Sequence, residues 1–223
     1  MKHTLPLLLL ALGAHTAHAA VISWGSATAL STTAGNSSQV STTGTVHHAI
    51  NGLQVSATAE DPLVNGTTFS YVKGGGNGTS PVGNLWIAGS TGDTTYNTLL
   101  SSANFGLGGP SVTISLGDGS TLGGAAFVIG QEYEIQIWYV DDRASQDARV
   151  MTFGDGLGNN VNLNDQFAIG TFTANGTTQD LSAVANGFGQ AHINALQVRA
   201  VPEPSSAVLI SLGGIALILH RRK

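Results

Sequence analysis

Tyr133-Glu134-Ile135-Gln136-Ile137-Trp138-Tyr139-Val140-Asp141 is the stretch that decides the fold. In an extended chain, successive side chains alternate between two faces. One face is then Tyr133, Ile135, Ile137 and Tyr139, and the other is Glu134, Gln136, Trp138 and Val140. The first is apolar throughout; the second turns from polar to apolar along the strand. That pattern predicts a central strand, covered on its second face at the later end.

Reading toward the C-terminus, Arg149-Val150-Met151-Thr152-Phe153 is a candidate partner, reached through the polar loop Asp142 to Asp147. Phe167 to Ala174 makes another strand, closed by an Asn175-Gly176 turn. Gln179 to Val184 and Ile193 to Arg199 follow as strands, the last running directly into Pro202. Toward the N-terminus, Ser111 to Leu116 alternates cleanly, with Val112, Ile114 and Leu116 inward. The stretch from Asp93 to Ala103 carries Tyr96, Leu99 and Leu100 at helical spacing and predicts one short helix. Asn84 to Ala88, Thr67 to Val72 (Phe69 and Tyr71 on one face) and Leu53 to Ala57 read as short strands. Gly74 to Gly78 is a loop, and Asn65-Gly66 a tight turn. Val21 to Trp24 is a candidate first strand, and Ser26 to Thr45 is either loop or exposed edge strand. Roughly eight to ten short strands with turns between them predict an all-β domain, an antiparallel β-sandwich of jelly-roll type.

Composition narrows the function. Residues 20–200 hold four basic residues (Lys73, Arg143, Arg149, Arg199) against twelve acidic ones, a net charge of 4 − 12 = −8. Nucleic-acid binding draws its affinity from lysine and arginine, so nucleic acid is not an expected partner. The chain has no cysteine, which excludes disulfides, thiolate metal sites and a cysteine nucleophile. Abundant Gly, Ser, Thr and Asn with scarce Lys and Glu fit many tight turns and short strands.

The two ends predict an address. Met1-Lys2-His3, the apolar run Leu5 to Leu12 and the small-x-small site Ala17-His18-Ala19 read as a signal peptide over 1–19, with a mature start at Ala20. At the other end, Val201-Pro202-Glu203-Pro204-Ser205-Ser206 precedes thirteen uncharged residues, Ala207 to Leu219, and a basic close, His220-Arg221-Arg222-Lys223. Thirteen helical residues reach about 20 Å, short of a hydrocarbon core of about 30 Å, so the flanking serines and snorkelling arginines would have to complete the span. This tail, 201–223, resembles the PEP-CTERM sorting signal of exported bacterial proteins, on Pro202, Glu203, Pro204, the apolar helix and Arg221 and Arg222. The resemblance implies processing by an exosortase, a membrane cysteine-protease-like enzyme, anchoring through the helix before processing, and association with the envelope or extracellular polysaccharide. The later strands, from Gly130 to Gln136, Thr171 to Ala174, Asp180-Leu181 and Asn194 to Arg199, resemble the last strands of galactose-binding-like jelly rolls.

Several residues are candidates for chemistry. Asp141, Asp142 and Asp147 crowd the end of the strongest strand with Arg143 and Arg149. They read as a salt-bridge network, as a calcium site built from clustered carboxylates, as a sugar contact with Trp138, or as a catalytic carboxylate pair. The oxygen-rich run Asp155 to Asp165 reads as a turn or an ion loop without EF-hand spacing. His47 and His48 are adjacent, so on a regular strand their rings point apart; His192 stands alone. Trp24, Trp86 and Trp138 with Tyr71, Tyr133 and Tyr139 are either core or sugar-stacking plates. Asn36, Asn65, Asn77 and Asn175 begin glycosylation-like triplets that serve equally as turns.

The expectation is therefore an exported, envelope- or matrix-associated, non-catalytic protein with no cofactor unless calcium binds. The alternative is a carbohydrate-binding module. Sugar binding calls for exposed aromatics, catalysis for two carboxylates about 5–10 Å apart in a cleft. A matrix protein calls for a flat, polar, Thr/Asn-rich face.

Overall fold

The computed structural model describes residues 19–33, 35–52, 61–71, 81–82, 91–101, 103–105, 109–119, 123–141, 149–186 and 189–203. Residues 1–18 of the signal peptide expected over 1–19, the strands expected at 53–57 and 84–88, the glycine loop expected at 74–78 and the expected sorting tail from Pro204 lie outside them.

In chain order the strands begin with β1 (Ser23–Trp24), β2 (Thr28–Ala29), β3 (Thr45–Asn51), β4 (Leu63–Val64), β5 (Thr67–Thr68), β6 (Ser70–Tyr71) and β7 (Pro81–Val82). Helix α1 (Thr94–Leu100) separates these from β8 (Ala103–Phe105) and β9 (Ser111–Gly117). The rest are β10 (Glu132–Tyr139), β11 (Val150–Gly154), β12 (Asn160–Leu163), β13 (Gln166–Thr173), β14 (Thr178–Asn186), β15 (His192–Ile193) and β16 (Ala195–Ala200). A seven-stranded sheet runs β1-β13-β10-β16-β3-β6, with β2 also paired to β13. A four-stranded sheet runs β12-β11-β14-β9. Every pairing in both is antiparallel except β3 with β6. The protein is all-β with antiparallel sheets.

β10 sits in the middle of the larger sheet, between β13 and β16. Its Tyr133, Ile135, Ile137 and Tyr139 share one hydrophobic cluster with Ile114, Leu116, Met151, Phe153, Leu163 and Leu181 of the smaller sheet. Gly170 of β13 permits this packing near β1. A Cβ there would lie 2.8 Å from both Ile22 and the Trp24 ring, closer than carbon atoms pack.

The later end of the opposite face of β10 behaves as its sequence predicts, whereas the earlier end is also covered. Trp138 and Val140 are buried in a second cluster with Tyr96, Leu99 and Leu100 of α1, Phe69 and Val64. Helix α1 starts where Asp93 accepts the Tyr96 N–H at 2.9 Å, an N-cap that satisfies an otherwise orphan donor. At the earlier end, Gln136 and Gln197 are buried rather than solvated. Gln136 donates to the Gln39 carbonyl and accepts the Ser41 N–H, and Gln197 donates to the Ser41 carbonyl. Arg199 donates to the carbonyls of Thr43 and Gly44 and to the Thr67 hydroxyl. Burial lowers the Arg199 pKa, and Glu134 opposes that shift. These side chains strap 39–44 across the sheet.

Three local expectations change. The candidate partner of the central strand, 149–153, becomes β11 and pairs with β12 and β14 of the smaller sheet, while β10 pairs with β13 and β16. The strand expected over Thr67 to Val72 breaks at Phe69, whose N–H goes to the Pro62 carbonyl instead of a ladder partner. In β3 the register with β16 shifts, Val198 facing His48 and Arg199 facing Val46, which leaves His47 as an extra, bulged residue. The His47 ring stacks on Phe127 at 4.6 Å, and a Cβ on Gly124 would lie 3.3 Å from the His48 ring. Both imidazoles therefore lie against the 124–127 segment, because a bulge interrupts the alternation that would send them apart.

Candidate functional site

The carboxylate cluster expected at the end of β10 resolves, in its described part, into a buried ion pair. Asp141 Oδ2 lies 3.2 Å from Arg149 Nη1, with side-chain exposures of 0% and 5% respectively. Arg149 Nη1 also lies 3.4 Å from His192 Nδ1. A guanidinium can only donate, so Nδ1 accepts and the ring is neutral. Gly189 makes room for the guanidinium: a Cβ there would lie 2.2 Å from Arg149 Nη2. The Tyr139 ring packs on His192 at 4.7 Å. Asp142 and Asp147 lie outside the described residues. Among the described residues, no three His, Asp or Glu side chains converge as a metal-binding group.

Burial pushes the His192 pKa down from 6.5 to about 4; Asp141 pulls it up and Arg149 pushes it further down. The unfolded chain therefore takes up this proton first as the pH falls. Stability is full above about pH 6.5 and declines toward pH 4, by about 3 kcal/mol in all. Urea unfolding at pH 7 and pH 4.5 checks this: the midpoint should drop at the lower pH, and His192→Gln should flatten the drop. An equal drop in that variant would assign the acid sensitivity elsewhere.

The oxygen-rich run at Asp155 is a turn organiser. Its carboxylate accepts the N–H groups of Ile22 at 3.0 Å, Leu157 at 2.7 Å and Asn159 at 3.3 Å, and the Asn159 amide at 2.7 Å. Burial opposes ionisation there, but the four donors prevail and hold the carboxyl below its ordinary range. Oxygens so engaged with N–H groups are poorly placed to hold a cation.

The aromatic set divides by placement. Trp138 is fully buried, its indole N–H donating to the Tyr96 hydroxyl at 3.0 Å, and Tyr133 and Tyr139 are equally enclosed. Trp24 is half-buried against β13. Trp86 and the Tyr71 side chain lie outside the described set. A shallow groove between β1 and β13 is lined by Val21, Ser23, Glu132, Thr171 and Thr173 among others, with no tryptophan in its wall and Glu132 its one carboxylate. Neither protein-family models, nor curated proteins, nor solved structures gave a match to this chain.

Among the described residues, the outer face of the four-stranded sheet is a largely polar surface. Because Ile114, Leu116, Met151, Phe153, Leu181 and Ala183 turn inward, the alternate residues turn out. They include Thr113, Ser115, Thr152, Asn162, Asp180, Ser182 and Asn186, with the half-buried Val150 and Val184 among them. Asn186 donates to the Thr152 hydroxyl at 2.5 Å, and Thr152 donates to Asn162 at 2.6 Å, a row across three strands. Ser115 donates to Asp180 at 2.5 Å. None of the exposed large apolar residues, such as Leu63, Val128 or Ile129, belongs to this face. Apart from the Asp180 carboxylate, the groups it offers are neutral hydrogen-bond donors and acceptors. No motif marks it; the signal is the period-two Ser/Thr/Asn pattern on β9 and β12, interrupted by Asp180 and Val184 on β14.

Proposed function

We propose that this chain is an exported, envelope- or matrix-associated, non-catalytic β-sandwich protein of jelly-roll type, sorted through its Pro-Glu-Pro, apolar and basic tail. The observation that carries the reading is the polar Ser/Thr/Asn face of the four-stranded sheet, found together with a Trp138 enclosed in the core. Such a face suits a hydroxyl-rich extracellular polymer, whose neutral donors and acceptors match its own. The joint hydrophobic cluster of the two sheets supports the sandwich.

Two further observations support the sorting part. Ala20, the expected mature start, is tied at both its N–H and its carbonyl to the Gln179 amide. At the other boundary the Val201 N–H donates to the Glu132 carbonyl at 3.0 Å, and the Val201 carbonyl accepts from Gln131 at 2.6 Å. Pro202 and Glu203, immediately beyond, are exposed. Among the described residues the domain's hydrogen bonding thus reaches to Val201, just before the exposed Pro202 and Glu203, an arrangement that suits access by a processing enzyme. In a host with an exosortase, replacing Pro202, Glu203 and Pro204 by alanine should leave the basic tail on a membrane-bound chain. The unsubstituted protein should lose it. Retention of the tail by both chains, or its loss from both, would refute the sorting reading.

A further inference from the structure

The two large sheets end in unequal edges. β1, β2 and β6 are two residues each and β12 is four, whereas β9 runs seven residues, Ser111–Gly117. Among the described residues β9 pairs on one side only, with β14. The direction of its backbone groups follows from two hydrogen bonds. Ala185 N–H donates to the Pro110 carbonyl at 2.6 Å, so positions 110, 112, 114 and 116 face β14. Gly117 N–H donates outward to the Gly123 carbonyl at 3.2 Å, which closes the edge at that end. Ser111, Thr113 and Ser115 therefore direct their N–H and C=O groups away from the sheet. An open edge is normally blunted by a charge, a proline or a bulge. Ser-Val-Thr-Ile-Ser-Leu-Gly contains no charge and no proline, and its register with β14 is unbroken.

We propose that this edge is a self-association site, at which β9 of one chain pairs antiparallel with β9 of a second copy about a two-fold axis through Thr113. The pairing follows from the pattern. The open positions 111, 113 and 115 are symmetric about 113, so antiparallel addition sets Thr113 against Thr113 and Ser111 against Ser115. Each is a hydrogen-bonded pair exchanging two bonds, about six in all. Val112 of one chain faces Ile114 of the other on the inner side, extending a cluster they already belong to or pack against. On the outer side hydroxyls meet hydroxyls. No like charges are brought together at the seam, which matters for a chain of net charge −5. The contact is isologous and closes at two copies, joining two four-stranded sheets into one of eight. It stands independently of the proposed function.

A chain without cysteine allows a direct test. At a hydrogen-bonded antiparallel pair the Cα atoms are about 5.5 Å apart, within disulfide reach. Full-length Thr113→Cys, in a non-ionic detergent with copper-phenanthroline as oxidant, should cross-link into a covalent dimer. Ser111→Cys alone should cross-link at least ~10-fold less, because symmetric pairing sets the two thiols about 14 Å apart along the strands. Mixing Ser111→Cys with Ser115→Cys should restore the dimer. Thr113→Lys, at an exposed position, should abolish the dimer in sedimentation velocity while leaving the circular dichroism unchanged. Equal cross-linking of Thr113→Cys and Ser111→Cys would mean association through the apolar tail or another surface and overturn the proposal. So would a dimer that survives Thr113→Lys, or a folded Thr113→Cys that stays monomeric.

Discussion

Arg149→Met should lower the unfolding free energy by about 3–5 kcal/mol at neutral pH, much of the 5–15 kcal/mol that holds a typical domain. The loss arises from what is left behind. The Asp141 carboxylate, with a side chain 0% exposed, keeps its burial but loses its guanidinium. Replacing both groups, as in Asp141→Leu with Arg149→Met, should recover much of the loss, since removing an ion pair together also removes its desolvation cost. The single variant should also respond differently to acid. Arg149 helps push the His192 pKa down while Asp141 pulls it up. Without the arginine, His192 becomes the natural counter-ion of Asp141, and the destabilisation between pH 6.5 and 4 should shrink. Urea titrations across that range measure both effects. A loss below about 1 kcal/mol, the value typical of an exposed pair, would show that the cluster is solvated.

Trp138→Ala should cost about 3–5 kcal/mol, the usual range for emptying a large aromatic site. The indole is enclosed between Phe69 at 5.8 Å and Phe167 at 6.3 Å. It also satisfies the Tyr96 hydroxyl, which anchors α1 to the sheet. Trp138→Phe should cost less, since it keeps most of the apolar contact and gives up the hydrogen bond and part of the volume. Equilibrium unfolding with near-ultraviolet circular dichroism separates the variants. A Trp138→Ala chain of unaltered stability would place the indole at the surface, where a sugar could reach it.

The period-two pattern of Tyr133 to Tyr139 was enough to read a central strand, because both of its faces are decided by the residues' own polarity. Asn65-Gly66 was legible for a similar reason. Both residues adopt positive φ, 46° and 76°, which suits that pair in a two-residue hairpin turn. Asp93 and the 96/99/100 spacing gave α1, with the helix ending earlier than expected. The buried polar strap was not legible. Gln197 and Arg199 find their partners on backbone carbonyls about 156 positions away, and no local pattern encodes such a pairing. Asn194 is a similar case, its amide bridging the Leu100 and Val140 carbonyls. The bulge at His47 depends on a one-residue slip against β16, which alternation alone cannot register. Of the candidate site, Asp141 and Arg149 belong to the cluster that the sequence reads, among other ways, as a salt-bridge network, but the sequence separates His192 from them by more than forty positions. The polar face of β9, β11, β12 and β14 was anticipated only as the kind of surface a matrix protein would need.

The most direct measurement is the intact mass of the protein recovered from each cell fraction of a host that carries an exosortase. The account predicts a chain that begins at Ala20, ends near Pro202 to Pro204, and is found in the envelope or the medium. A 223-residue chain with both termini intact, retained in the cytoplasm, would contradict it.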